Sequence, residues 1–236
     1  MTPQQLETLF GGSTRTLDLS HPLANGMPVW PTHPPFRQTP MSRFEDGDVS
    51  LNHLLELSEH TGTHIDAPAH FVPGGTPIAE VPLDRFFGRM VTIDASDTAP
   101  DSELGRDRIL AFEAEHGPIR AGDAVMFRFG WERYWGHPTD GEKYYADWPG
   151  LSADAAVLLR ERAIRLAACD CMAIDRFGNG DFPVHHVLLG AGILIGENFC
   201  NLSALPPIAW MIAMPFAITG GSASPVRAVA FLPDAN

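Results

Sequence analysis

An α/β fold, with a mixed β-sheet core flanked by helices, is the architecture this sequence predicts. Short apolar runs of strand length interleave with two longer helical segments, and no strict repeat emerges. The 22 glycines and 21 prolines are scattered through 236 residues, and hydrophobic content is an ordinary 44%. A chain of this length buries one substantial core. With no internal repeat and no linker, residues 1–236 read as a single domain, not as a barrel of eight units.

The elements follow in chain order. Residues 2–9 suit a short helix and 14–19 a first strand, before a proline-punctuated extended arm over about 20–40. Met27, Trp30 and Phe36 are apolar within that arm, so it must lie on something: its own core, or a second copy near a site. Residues 51–57 read as a strand entering a histidine cluster and 91–94 as another strand. A helix over 102–116 is stopped by Gly117-Pro118, and 124–129 is a strand. Ser152 suits an N-cap for a helix running to about Ala168, with 171–174 a strand after it. A helical turn over 184–189 precedes strands at 193–195, 210–214 and 226–232.

Composition removes several function classes. The formal charge of −13 argues against nucleic acid, whose phosphates need local positive charge. Most of the 16 basic residues are arginine, the fork suited to anionic groups. Three cysteines, Cys169, Cys171 and Cys200, form no disulfide framework and fit a reducing cytoplasm as inert buried thiols. No secretory pattern opens the chain. The longest apolar run, 206–218, holds three prolines and is too short to cross a bilayer. The expectation is a soluble, cytoplasmic protein without a membrane partner.

The chemistry concentrates in His60-Thr61-Gly62-Thr63-His64-Ile65-Asp66-Ala67-Pro68-Ala69-His70. Zinc and manganese take imidazole nitrogen and carboxylate oxygen. His64 and Asp66, two apart, share one face of a strand. A turn at Thr61-Gly62 would return His60 beside them, glycine supplying the backbone angles. His60, His64 and Asp66 therefore read as ligands of a divalent metal, Zn²⁺ first and Mn²⁺ second, with a position left for water. His70 reads as the general base and acid, with a fourth ligand or a structural role as alternatives. A second cluster, His185-His186 and Glu197, lies far along the chain. Glu197 between apolar neighbours needs a partner, either an ion pair or a metal. If it reaches the first cluster, Asp66 bridges two ions, with His185 and Glu197 holding the second.

Such a cation acidifies water and polarises a carbonyl, and no Gly-x-Ser-x-Gly elbow offers a serine instead. The chain therefore reads as a metal-dependent hydrolase of a small molecule. Trp131, Tyr134, Trp135, Tyr144, Tyr145 and Trp148 form the densest aromatic patch, a wall for a flat substrate or ordinary packing. Trp30 and Phe36 would complete such a wall. Arg128 suits either a substrate carboxylate or an internal one.

The pattern His-x-Gly-Thr-His-x-Asp-x-Pro-x-His resembles the cyclase family of metal-dependent hydrolases, which includes bacterial kynurenine formamidase and isatin hydrolase. The likeness extends to Asp18-Leu19-Ser20, Met27-Pro28-Val29-Trp30-Pro31 and the His185–Glu197 region. It implies a swivelling β/β/α-type fold, with His60, His64 and Asp66 as first ligands and His70 as the catalytic histidine. His185, favoured over His186 by the twelve-residue interval, and Glu197 would hold a second zinc with Asp66. It also implies a dimer, or dimer of dimers, whose N-terminal arms help to build the neighbour's pocket. Arg128-Phe129-Gly130-Trp131 and Asp175-Arg176-Phe177-Gly178 depart from the formamidase pattern. Aryl formamide hydrolysis is the first expectation. Ring opening of an isatin-like cyclic amide or lactone is the second, and a non-catalytic metal-binding protein the third.

Overall fold

The structure, a computed structural model, describes residues 14–232, so the helix expected over 2–9 lies outside the described residues. Among the described residues there are twelve strands: β1 Arg15–Asp18, β2 Arg37–Ser42, β3 Asn52–Glu56, β4 His64–Asp66, β5 Phe87–Asp94, β6 Glu103–Leu104, β7 Ala124–Arg128, β8 Gly150–Leu151, β9 Leu166–Cys169, β10 Leu194–Glu197, β11 Ile208–Pro215 and β12 Ala223–Leu232. Three α-helices accompany them among the described residues, α1 Arg106–His116, α2 Ala153–Glu161 and α3 Pro183–Gly190.

The main sheet is mixed, as expected. It runs β1-β12-β11-β5-β7-β9-β10-β4, with parallel pairing from β5 through β10 and antiparallel pairing elsewhere. It also closes on itself, which sequence pattern does not disclose. β4 pairs with β10 on one side and with the start of β12 on the other, so the strands from β12 to β4 form a ring, with β1 added along the end of β12.

Alternation along the strands sorts the core into two clusters. Met90, Ala124, Met126, Leu166, Ala168, Met211 and Ala228 pack together on one face of the strands. Val91, Ile93, Val125, Phe127, Ala167 and Cys169 point the other way, against the apolar sides of all three helices. Each fully buried Phe or Met side chain contributes roughly 1.5–3 kcal/mol of transfer free energy.

Several elements differ from expectation for identifiable reasons. Ser152 does cap α2, its hydroxyl accepting the Ala155 N–H at 3.4 Å. The helix stops at Glu161, however, because Ala163 adopts a left-handed φ of 51° and β9 begins three residues later. That strand is buried on both faces, so its continuous apolar run carries no period separating it from a helix. The strand expected over 171–174 is displaced accordingly to Leu166–Cys169. The arm ends in β2, which pairs only with β3 as a separate hairpin bulged between Pro40 and Ser42. Met27 and Phe36 are buried within the chain. Among the described residues no helix is long and apolar enough to cross a membrane.

Candidate metal centre and its pocket

β4 places the first cluster. His64 and Asp66 project from the face toward the helices, while Ile65 between them enters the opposite core cluster. The turn before β4 is closed by Thr61 N–H donating to Ser58 O, and Gly62 takes a φ of 64°. That left-handed angle favours glycine, and a Cβ there would also press on Leu23 Cδ2 at 2.8 Å, a side-chain end free to shift. The turn returns His60 until Nδ1 lies 2.8 Å from Asp66 Oδ1.

β10 supplies Glu197 directly opposite His64 in the antiparallel register. Its Oε2 stands 3.5 Å from His64 Nε2 and its Oε1 3.4 Å from His185 Nε2. His185 Nε2 is also 3.7 Å from Asp66 Oδ2. Asp175, which sequence reading passed over as a site residue, accepts the N–H groups of Val184 and His185 and faces His185 Nδ1 at 2.6 Å. One carboxylate thus caps the start of α3 and orients the ring, aiming Nε2 at the cluster. His186 is exposed, its ring 5.1 Å from that of Phe71.

The residues fit a divalent ion. His64 Nδ1 lies 2.8 Å from Gly62 O, which leaves Nε2 buried without a hydrogen-bond partner. Neither carboxylate oxygen of the fully buried Asp66 receives a well-aligned hydrogen bond, although His60 Nδ1 stands 2.8 Å from Oδ1. Orphaned buried acceptors of this kind are costly unless something unites them. One ligand atom each from His60, His64 and Asp66 lie within 4.8 Å of one another, as do those of Asp66, His70 and His185. Nitrogen and oxygen donors in this ratio suit zinc or manganese.

The electrostatics agree. Burial opposes charge on His185, but the carboxylates of Asp175, Asp66 and Glu197 override it and push its pKa well above the usual histidine value. Burial likewise favours protonated Asp66, yet His60, followed by His185 and His64, holds it well below the usual carboxylate range. These groups attract positive charge to their midst. His70 differs: burial lowers its pKa to about 4, so the imidazole is neutral at pH 7 and able to accept a proton. It ends the 3₁₀ turn Pro68–His70, with its ring 4.1 Å from that of His60 and 4.7 Å from that of Phe71.

A cavity of about 160 Å³ opens onto these groups, with Val29, Trp30, Phe71, Met172 and Phe182 as apolar walls. His33, which sequence reading did not single out, also lines it, its ring 5.7 Å from that of His60. Its signal was weak, a lone histidine between prolines in an irregular arm. Of the aromatic and cationic residues expected at the pocket, Trp30 lines it, and Phe36, Arg128, Trp131 and Trp135 do not. Phe36, within the arm, is buried, and Trp131 lies in the core facing the helices. Trp135 stacks on His21 at 4.0 Å. Arg128 lines a separate groove and pairs with Asp94 at 3.2 Å. The aromatic stretch instead backs the wall, Trp148 meeting Trp30 edge-on at 6.0 Å.

Known proteins resemble this chain over nearly its whole length. The chain is 32% identical to a kynurenine formamidase of Bacillus cereus over 222 residues, 90% of this chain and 95% of the relative. It superposes on a crystal structure of an isatin hydrolase bound to the product analogue thioisatinate with a TM-score of 0.91. That match has 28% identity and covers 99% of this chain and 100% of the other. Isatin hydrolase A from Labrenzia aggregata, bound to benzyl benzoate, gives a TM-score of 0.86 at 32% identity, covering 97% and 98%. Residues 17–176, more than half of the chain and including the whole His60–His70 motif, match the family described under the name Cyclase. On that match and the likeness to the formamidase, this chain belongs to the Cyclase family.

Proposed function

We propose that the chain is a metal-dependent hydrolase of a small aromatic amide, with an aryl formamide of the N-formylkynurenine kind as first substrate. The observation carrying this reading is the convergence of His60, His64, Asp66, His185 and Glu197 on buried, unpartnered acceptors at the foot of an aromatic pocket. These five residues would hold one or two ions, Zn²⁺ first and Mn²⁺ second. When bound, the ion acidifies water and polarises the scissile carbonyl. His70, neutral beside the cluster, accepts the proton that water releases and returns it to the leaving nitrogen, giving amine and carboxylate. Trp30, Phe71 and Phe182 hold the flat ring against the site and keep bulk water from it.

Ring opening of a cyclic amide is the second reading, supported by the likeness to an isatin hydrolase along nearly the whole chain. In that case the leaving nitrogen stays attached to the product. We also propose a homo-oligomer, since the β2–β3 hairpin and its flanks expose Met41, Phe44, Val49, Leu51, Leu54 and Leu55. The three buried, free thiols support a cytoplasmic setting.

The test is metal analysis of the purified protein, followed by hydrolysis assays of the zinc- and manganese-loaded enzyme on N-formylkynurenine, isatin and simple lactones. Faster formate release from N-formylkynurenine supports the first reading. Selective turnover of isatin replaces it with the second, and inactivity on all three removes both.

A further inference from the structure

Tyr144 belongs to the aromatic stretch, on the 3₁₀ segment Gly141–Tyr145, yet it approaches the candidate centre from the core side and not through the pocket. It is fully buried, and its hydroxyl donates to Asn198 Oδ1 at 2.6 Å. With Oδ1 occupied as an acceptor, the Asn198 amide has one orientation, its NH₂ donating to Gly62 O at 3.0 Å. Gly62 O is the same carbonyl that faces His64 Nδ1 at 2.8 Å. The amide flipped by half a turn would set oxygen against oxygen at Gly62 and offer His64 a competing acceptor. Asn198 is held by its backbone as well. It takes a left-handed φ of 57°, its N–H donates to Cys171 O, and its carbonyl accepts from Thr63 Oγ1 at 2.5 Å.

We propose that Tyr144 is a positioning residue for the metal centre. Through Asn198 and Gly62 O it holds the proton of His64 on Nδ1 and the ring in one orientation, so that the Nε2 lone pair points at the ion. Groups behind a ligating histidine fix its tautomer and direction, and losing one weakens metal binding although no ligand is removed. The inference rests on the reading of His64 as a ligand and assigns the aromatic stretch a role in metal retention, not in substrate contact.

Tyr144→Phe deletes one oxygen and keeps the ring. Zn²⁺ affinity, measured by competition with a chromophoric chelator, is expected to fall about 10- to 100-fold. The melting temperature of the metal-free protein should change little. With saturating zinc, kcat should fall more than KM rises. Asn198→Gly, tolerated at a left-handed φ, should show the same loss, and the double variant should bind zinc no more weakly than Asn198→Gly alone. Wild-type zinc affinity in Tyr144→Phe, or losses that multiply in the double variant, would overturn the inference. His64→Ala separates the two levels of the argument: if it keeps full zinc affinity, the metal-centre reading itself fails.

Discussion

Glu197 and His64 stand opposite each other across the β10–β4 pairing, with Oε2 3.5 Å from Nε2. A one-residue slip in that register would turn Glu197 to the other face of the ring and disperse the cluster. Glu197→Gln keeps the shape and removes the charge that His64 and His185 share. We expect zinc affinity at least tenfold weaker, checked by metal content after dialysis against a graded chelator. Unchanged content would take Glu197 out of the ligand set.

His70 separates an enzyme from a metal-storing protein. His70→Ala is expected to lower kcat by about 10²–10⁴ while retaining most of the metal. Parallel turnover and metal assays on one preparation check it. Metal loss equal to that of His64→Ala would make His70 a ligand and not the proton carrier.

Asp175 joins stability to the centre. Asp175→Asn turns an amide NH₂ toward some of the N–H donors of Val184 and His185, leaving buried donors unmatched. Urea unfolding of the metal-free protein should show a loss of about 1–3 kcal/mol. Zinc affinity should fall about tenfold or more as His185 loses its orientation. A variant with full stability and affinity would show that the short contact to His185 is idle.

His21 carries a pH dependence outside the candidate centre. Stacked on Trp135, it has its pKa lowered by burial from 6.5 to about 4. The folded state thus binds fewer protons than the unfolded chain between those values. Its contribution to stability is complete above pH 6.5 and is lost as pH falls toward 4. His21→Phe keeps a ring on Trp135 and removes the titration. Urea unfolding with chelator at pH 7.5 and pH 5 should show the wild type losing more stability than the variant, on the order of 1–3 kcal/mol. Equal losses would exclude His21 as the source.

The local part of the candidate site was legible in the chain because its chemistry is compact. His60, His64 and Asp66 fall within seven residues, and Gly62 marks the turn that returns the first to the other two. Mixed strands and helices were legible from apolar periodicity where one face is wet. They were not where β9 is buried on both faces and resembles a continuation of α2. The aromatic stretch misled for a related reason. Aromatic content reports burial without direction, and Trp131 and Tyr144 face the core while Trp148 stiffens Trp30 from behind.

From the sequence alone came the donor set, its kinship, the mixed α/β class and the nomination of His185 and Glu197. Only the tertiary structure decided that β4 closes the ring between β10 and β12, because strand partners more than a hundred residues apart leave no local periodicity. That closure brings Glu197 to His64, and α3 then carries His185 to Glu197 and Asp66. The hydrogen bonds of Asp175, Asn198 and Tyr144 also appeared only there. A side chain that orients a ligand from behind is defined by hydrogen bonds across the fold, and its residue type alone does not announce them.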